Sequence, residues 1–241
     1  MIVRNRVFLS SLVVLALSLP AWAQENPAAK SLNRDNPRHK QFLTIVAKGE
    51  ADVIFIGDSI TQGWEGAGKK AWADNFEKLK AVNLGIGGDQ TGHVIWRITE
   101  GKELDPIKPK AAVIMIGTNN TGGHSAEQIA GGIKAIIAEL HKQKPGLKIL
   151  LLGVFPRAGG IKKEETVAPA DKLNPKIKAI NDIISKFDDG KLVFYKDIGA
   201  KFLNAEGGLE KKVMPDLLHL SSAGYEIWAA AIKEDLAKLL K

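Results

Sequence analysis

The sequence predicts an α/β protein built on a doubly wound, five-stranded parallel sheet. Short runs of Val, Ile and Leu alternate along the chain with longer segments in which apolar residues recur every three or four positions. The short runs are continuously apolar, which is typical of strands that are buried on both faces of a sheet. Because strands that alternate with helices form parallel sheets through right-handed crossovers, helices are expected on both faces.

The predicted strands are the apolar runs that are too short to be helices, at residues 52–56, 81–84, 111–116, 148–154 and 191–195. The predicted helices have apolar residues at three- and four-residue spacing and cover residues 72–80, 92–100, 125–144, 175–187 and 223–241. In sheets of this kind, ligands bind beyond the carboxyl ends of the strands. The residues that follow each strand are therefore the candidates for a functional site.

The first 23 residues have the pattern of a cleaved export signal. Two arginines precede a short apolar stretch, and the tripeptide Ala-Trp-Ala at residues 21–23 supplies the small residues of a cleavage site. The stretch is shorter than the roughly 20 residues of a spanning helix, although an uncleaved membrane anchor is the alternative. Residues 24–36 are polar and aperiodic, which predicts a tether. One folded domain is then expected over residues 37–241, without stable membrane insertion.

The amino-acid composition of the chain excludes several classes of protein and of functional site. The chain has 241 residues, of which 45% are hydrophobic, with 34 Lys and Arg against 27 Asp and Glu. This is the composition of a globular protein and excludes collagen and wholly disordered chains. The lysines are scattered along the predicted helices and the chain has only two Tyr, so a nucleic-acid interface is not expected. The absence of Cys excludes thiolate nucleophiles and Cys-ligated zinc.

A serine and a glycine-rich segment follow the first two strands. The first strand runs into Gly57-Asp58-Ser59, which places a hydroxyl at the crevice, although a Ser at this position can also simply cap a helix. The second strand leads into residues 83–90, which lack the third glycine of a dinucleotide-binding loop and the lysine of a P-loop. A backbone N–H at Gly88 offered to an oxyanion fits this segment, and a plain tight turn is the alternative.

The third strand is followed by two adjacent asparagines. The side-chain amide of Asn119 can donate a hydrogen bond to a developing negative charge without acting as a base. Adjacent asparagines are equally compatible with a turn.

An acid and a histidine stand three residues apart before the last predicted helix. In a single turn, Asp216 can contact Nδ1 of His219 and leave Nε2 free to accept a proton from a hydroxyl. A metal-binding pair is the alternative, but no other cluster of His or acidic residues in the sequence supplies further ligands.

These four strand-end motifs resemble, in the same order, the four blocks of the GDSL or SGNH hydrolases. Three longer segments are similar to the catalytic subunits of the intracellular platelet-activating-factor acetylhydrolase: residues 83–97 (NLGIGGDQTGHVIWR), 117–120 (GTNN) and 216–220 (DLLHL). The resemblance extends from about residue 37 to the C-terminus.

The resemblance implies a three-layer, flavodoxin-like SGNH hydrolase fold and an ester hydrolase without metal or organic cofactor. Ser59 would be the nucleophile, His219 its general base, and Asp216 the group that orients His219. The oxyanion hole would consist of the backbone N–H groups of Ser59 and Gly88 and the side-chain amide of Asn119.

Export and the residues beside the site suggest the substrate. An exported enzyme would not meet an intracellular lipid, so the expected substrate is a small-molecule or glycan ester, with acetyl released from a sugar hydroxyl. Asp58, Ile60 and Leu218 adjoin the nucleophile or the base and are the candidate substrate-binding residues, of which Ile60 and Leu218 would restrict the acyl group. Residues 156–174 are rich in Gly, Pro and Lys and could form either a mobile flap or a solvated loop.

Two other functions remain open at this point. A lysophospholipase or thioesterase for longer acyl chains would need an open apolar groove, whereas an inactive glycan-binding module would keep the fold without turnover. The helix that contains Trp96 and the apolar face of the last helix could pair with a second copy of the chain, and core packing explains these residues equally well.

Overall fold

The computed structural model describes residues 26–159 and 161–241, which form an α/β structure around a five-stranded parallel sheet. The chain contributes, in order, β1 (Val53–Gly57), β2 (Ala81–Gly85), β3 (Ala111–Met115), β4 (Lys148–Leu152), β5 (Val167–Ala168), β6 (Val193–Lys196) and β7 (Leu209–Glu210). The main sheet has the order β2-β1-β3-β4-β6, and β5 pairs with β7 in a separate antiparallel ribbon. At the amino end of β1, Val53 pairs with Ala81 on one side and Ala111 on the other.

Helices cover both faces of the sheet. They are α1 (Pro37–Val46), α2 (Ser59–Gln62), α3 (Lys69–Asn75), α4 (Thr91–Ile98), α5 (Ala126–Gln143), α6 (Pro175–Ile184) and α7 (Ser222–Leu239). Side chains alternate across a strand, so Ile54 and Ile56 of β1 pack with α1, α4, α5 and α6, whereas Val53 and Phe55 pack with α2, α3 and α7. The two resulting cores make the three layers that the sequence predicts.

All five strands of the main sheet lie within two residues of their predicted positions, but one predicted helix is divided, and α1 and α2 were not among the predicted helices. The predicted helix over residues 72–80 is divided, because α3 ends at Asn75 and a 3-10 turn follows over Glu77–Leu79. The Asn75 side chain donates to the carbonyl of Ala71 at 2.8 Å, and Lys80 adopts a left-handed φ of 49°. Helix α1 was not predicted, although Asn36 caps it and Pro37 begins it.

The segment predicted to be a tether, residues 24–36, packs on the domain over residues 26–36. The Asn26 side chain donates to the carbonyl of Gln128 at 2.9 Å, and the Thr91 hydroxyl donates to the carbonyl of Ala28 at 2.5 Å. A Cβ at Gly92 would lie 2.4 Å from the carbonyl oxygen of Lys30, so the segment needs a glycine in α4 to lie this close. The tether prediction was wrong for residues 26–36, because hydrogen bonds to α4 and α5 and the burial of Ala28 hold a segment that has no apolar periodicity.

The predicted export signal, residues 1–23, lies outside the described residues. Within residues 26–159 and 161–241, no helix combines the length and the apolar character needed to cross a bilayer.

Candidate active site

Ser59 lies where the buried strand β1 passes into α2. Asp58 caps this short helix, and its Oδ1 accepts the backbone N–H of Ile60 at 2.9 Å. Ser59 is the first residue of the helix, so its own N–H has no acceptor within the helix and is available to a ligand. The strand and the cap therefore hold both the hydroxyl and the backbone N–H of Ser59 at the carboxyl edge of the sheet.

A chain of hydrogen bonds joins Ser59 to His219 and Asp216. The distance from Ser59 Oγ to His219 Nε2 is 2.8 Å, and the distance from His219 Nδ1 to Asp216 Oδ2 is 2.6 Å. With a proton on Nδ1 directed at the carboxylate, Nε2 is free to accept the proton of the serine hydroxyl. The structure brings these three predicted residues together, although 160 positions separate Ser59 from His219.

The loop that carries His219 is held by its own backbone. Asp216 Oδ1 accepts the N–H groups of His219 at 2.7 Å and of Leu218 at 3.1 Å, and Leu217 turns the chain with a left-handed φ of 61°. Partial burial raises the pKa of Asp216, but the hydrogen bonds from the side chain and backbone of His219 outweigh it and hold this pKa below its ordinary value. Asp216 is therefore a carboxylate at neutral pH.

Gly88 lies in the loop that follows β2, next to Gly87, where a Cβ would come within 3.7 Å of Ser59 Cβ. Its φ of 78° is in the left-handed region, which favours glycine. The preceding residue, Gly87, donates its N–H to Gln62 Oε1 at 2.7 Å, and the following residue, Asp89, is fully buried. The loop is thus fixed on both sides of Gly88, while Gly88 itself is exposed.

Asn119 follows β3 and contacts the same loop. Its Nδ2 donates to the carbonyl of Asp89 at 2.9 Å, and its own carbonyl accepts from the Gln90 side chain at 3.2 Å. An amide nitrogen has two hydrogens, so one remains for a further acceptor. Its neighbour Asn120 is buried and accepts the backbone N–H of Thr91 at 3.0 Å. The two adjacent asparagines therefore differ, since only Asn119 combines partial exposure with a free donor.

Two of the three predicted substrate contacts are not supported by the structure. Ile60 is 1% exposed and packs in the core beneath α2, and its carbonyl accepts the hydroxyl of Tyr225 at 2.6 Å. Asp58 is also fully buried, because its side chain turns back to cap α2. Leu218, beside His219, is half-buried and remains the one candidate of the three that could contact a ligand.

Burial changes the chemistry of Asp58. Burial raises the pKa of the Asp58 carboxyl to about 7. The hydrogen bond from the N–H of Ile60 lowers this pKa by a smaller amount, and the nearby charge of Asp89 raises it further. Oδ2 of Asp58 has no hydrogen-bond partner among the described residues. Asp58 is thus a helix cap that takes up a proton near neutral pH.

The segment of residues 156–174 connects two loops of the site. The N–H of Ala158 donates to the carbonyl of Leu217 at 3.1 Å, and the guanidinium of Arg157 lies 3.3 Å from the hydroxyl of Thr118. Farther along, β5 of this segment pairs with β7. The start of the segment therefore contacts the loops of both His219 and Asn119.

Comparison with known families identifies the chain. The profile of the GDSL-like lipase/acylhydrolase family matches residues 55–227, which include all the site residues described above. The chain belongs to this family. The GDSL-like family is one of esterases and acyl hydrolases, so membership confirms the predicted fold and the broad class of enzyme.

Individual members of the family match most of the chain. Subunit alpha2 of platelet-activating factor acetylhydrolase IB from Gallus gallus is 36% identical over 204 residues, which are 85% of this chain and 84% of that protein. The alpha1 subunit from Homo sapiens is 34% identical over 226 residues, covering 90% and 92%. A crystal structure of a GDSL-like lipase from Bacteroides thetaiotaomicron is 25% identical, with a TM-score of 0.65 and coverage of 83% and 97%. The resemblance inferred from the four motifs is therefore confirmed.

The structure also contains a buried charge network that the sequence analysis missed. Arg97 is fully buried in α4, with Nε 2.9 Å from Asp89 and Nη1 2.5 Å from Glu103. Glu103 in turn contacts His39 at 2.8 Å. The sequence contains one indication of this network. Arg97 lies three residues after Val94, on the apolar face of α4, where a charged side chain requires a buried partner.

Proposed function

We propose that the protein is a serine ester hydrolase that removes a short acyl group, with acetyl as the expected one, through an acyl-enzyme. The observation that carries the proposal is the continuous hydrogen-bonded chain from Ser59 through His219 to Asp216. A nucleophile activated by a base, which is itself oriented by a third group, is the arrangement that covalent acyl transfer requires.

The first half of the proposed reaction forms the acyl-enzyme. Ser59 Oγ attacks the ester carbonyl while His219 Nε2 takes the hydroxyl proton, and Asp216 stabilises the imidazolium that results. The carbonyl oxygen becomes an oxyanion and is stabilised by the N–H groups of Ser59 and Gly88 and the free amide hydrogen of Asn119. Collapse of this intermediate breaks the bond to the alcohol, which leaves with the proton from His219.

The second half releases the acid. A water molecule gives a proton to His219 Nε2 and attacks the acyl carbonyl, and the same donors stabilise the second oxyanion. The serine then leaves with the proton, which restores the hydrogen bond between Ser59 and His219.

Support for a short acyl group comes from the relatives, which are named acetylhydrolases. The attachment of this acyl group to a carbohydrate hydroxyl is part of the proposal and rests on the export signal predicted for residues 1–23. Outside the cytoplasm, in periplasm or medium, acetylated glycans are a chemically suitable source of such esters.

One observation favours a second candidate, a lipid acylhydrolase for longer chains. A cavity of about 600 Å³ lies beyond the carboxyl ends of β4 and β6, with a mostly apolar lining, including Val154, Leu173 and Leu203, that also contains Asp171, Lys178 and Asp197. A cavity of this size and character could hold an acyl chain. Ser59 does not line this cavity, so we favour the short-chain proposal.

The test is hydrolysis of p-nitrophenyl acetate, butyrate and octanoate by the purified chain beside its Ser59→Ala variant. We expect turnover to fall steeply with chain length, and kcat to fall by at least about 10⁴-fold in the variant, because the nucleophile is lost. The matched control is Ser185→Ala, which removes a hydroxyl that donates to the carbonyl of Asp182. Ser185 lies at the C-terminal end of α6, before β6, and not among the residues that follow the strands.

The possible results separate the candidates. Preference for octanoate would favour the lipid acylhydrolase, and full activity of Ser59→Ala would contradict the assigned nucleophile. Binding of acetylated glycans without turnover of any ester would favour an inactive binding module.

A further inference from the structure

The guanidinium of Arg34 contacts the residues on both sides of Gly88. Its Nε donates to Asp89 Oδ1 at 2.6 Å, and its Nη2 donates to the carbonyl oxygen of Gly87 at 2.5 Å. A planar guanidinium can make two such bonds in a fixed relative direction. Arg34 therefore bridges the short stretch of backbone whose N–H at Gly88 is the proposed oxyanion donor.

Asp89 connects this bridge to the other donor. Its carboxylate is fully buried between two guanidinium groups, since Oδ1 contacts Arg34 and Oδ2 contacts Arg97 at 2.9 Å. Its backbone carbonyl accepts Nδ2 of Asn119 at 2.9 Å and so orients the amide. The position of Asp89 consequently affects both Gly88 and Asn119.

The two arginines are anchored in different ways. Arg97 belongs to α4 and has no exposed surface, so the helix and the core hold it. Arg34 is 26% exposed and belongs to the segment of residues 26–36, which is anchored by its backbone, as in the bond from the N–H of Leu32 to the carbonyl of Gly92 at 3.0 Å. A segment outside the sheet thus supplies one half of the support for Asp89.

We propose that Arg34 is a positioning residue that preorganises the oxyanion hole by holding Gly87 and Asp89 on either side of Gly88. The inference rests on the proposed function, because it takes Gly88 and Asn119 as oxyanion donors. It adds that the N-terminal segment takes part in forming the active site.

The expected effect is on the transition state. Without the guanidinium, Gly87 loses the donor to its carbonyl and Asp89 keeps one cation, while two successive glycines leave the backbone free to move. Donors that must reorganise during the reaction stabilise the oxyanion less, whereas the ground-state ester is little affected. Loss of Arg34 is therefore expected to lower kcat and to leave KM nearly unchanged.

The test compares Arg34→Met, Arg34→Lys and Lys40→Ala in the full chain. Removal of a whole oxyanion donor costs about 10²-fold to 10³-fold in kcat, so loosening two donors in Arg34→Met should cost about 10-fold to 100-fold. Arg34→Lys keeps the charge but not the planar pair of donors, and should give an intermediate kcat. Lys40→Ala removes an exposed cation that lies 3.6 Å from Asp35 on the same part of the chain, and should leave kcat unchanged.

A second measurement reports on the loop without relying on catalysis. Hydrogen–deuterium exchange of the backbone amides in residues 84–91 should become faster in Arg34→Met and stay unchanged in Lys40→Ala. Thermal unfolding of each variant establishes that the fold is intact, and Arg34→Lys provides the same comparison if Arg34→Met is unstable.

Two results would overturn the inference. With normal turnover by the wild type, an unchanged kcat or an unchanged exchange rate in folded Arg34→Met would exclude the positioning role while leaving the proposed function in place. Failure of the wild type to hydrolyse any ester would instead remove the proposed function, and the role of Arg34 with it.

Discussion

Ser59 and His219 contact each other but belong to regions of opposite character. Ser59 follows a strand in which every residue is buried, and the cap of its helix, Asp58, has no exposed surface. His219 and Asp216 lie in a loop outside the main sheet, with side chains that are 44% and 57% exposed. The nucleophile is thus positioned by the core, whereas the base is positioned by hydrogen bonds within its own loop.

This difference determines whether a substitution in each region changes activity and stability separately or together. In the loop of His219, the carboxylate and two backbone N–H groups are local partners, so activity can be lost there with little effect on stability. Around Ser59 the same groups that place the hydroxyl also close the core, so stability and site geometry change together. Besides the hydrogen bond between Ser59 and His219, a second contact reaches the Ser59 region from α7, where the Tyr225 hydroxyl donates to the carbonyl of Ile60.

Asp216→Asn should separate activity from stability most strongly. The amide can still accept the backbone N–H groups, but it removes the charge that orients and stabilises the imidazolium, so kcat should fall by about 10⁴-fold. Because the carboxylate is more than half exposed, the free energy of unfolding should change by less than about 1 kcal/mol.

The measurements for Asp216→Asn are ester kinetics and denaturant unfolding. Asp74→Asn is the matched control, since it removes an exposed carboxylate paired with Lys70 at 2.6 Å. A large loss of stability in Asp216→Asn would contradict the independence of this loop from the core.

Asp58→Asn tests the buried region through the pH dependence of stability. The folded-state pKa of about 7 lies above the ordinary value of 3.8, so between these values the folded chain holds a proton that the unfolded chain has released. The contribution of Asp58 to the free energy of unfolding therefore falls by at most about 4 kcal/mol as pH rises from about 4 to 7. Above about pH 7 this contribution is constant.

The side chain of Asn keeps an acceptor for the N–H of Ile60 and does not titrate. The difference in unfolding free energy between wild type and Asp58→Asn should therefore change between about pH 4 and pH 8 in favour of the variant at the higher pH. Denaturant unfolding across this range measures the difference. A difference that is independent of pH would show that Asp58 is ionised throughout.

The adjacent residues Asn119 and Asn120 allow the same comparison between activity and stability within two positions of the chain. Asn119→Ala removes the free amide donor, so kcat should fall by about 10²-fold to 10³-fold while KM changes little. Asn120→Ala leaves the buried N–H of Thr91 without its acceptor and should cost about 1–3 kcal/mol of stability. Steady-state kinetics and thermal unfolding of both variants check the two outcomes, and an effect of Asn119→Ala on KM alone would argue against its oxyanion role.

The main sheet and the location of the candidate site residues could be predicted because their signals are local. A continuous apolar run identifies a strand wherever it pairs, and the carboxyl ends of parallel strands share one edge, so Ser59, Gly88 and Asn119 follow from position alone. The carboxylate and imidazole of the last motif are three residues apart, within reach of a single turn. The export of the chain and its pairing with a second copy stay predictions.

The errors arise where a contact joins distant parts of the chain. Arg34 and Asp89 are 55 positions apart and Asn26 is 102 positions from its partner Gln128, so composition alone made residues 26–36 look like a tether. The interpretation of Ile60 as a substrate contact failed for a related reason. Adjacency to Ser59 in sequence does not fix on which side of a four-residue helix a side chain lies.

The sequence by itself determined the five strands of the main sheet, the helices from α4 onward, the residue types at each strand end and the family to which they belong, because these depend on periodicity and on neighbours along the chain. Tertiary structure decided which groups hold the site in place. The burial of Asp58, the enclosure of Asp89 between two arginines and the attachment of the N-terminal segment all follow from desolvation and hydrogen bonding between remote residues. These interactions exist only once the chain has folded.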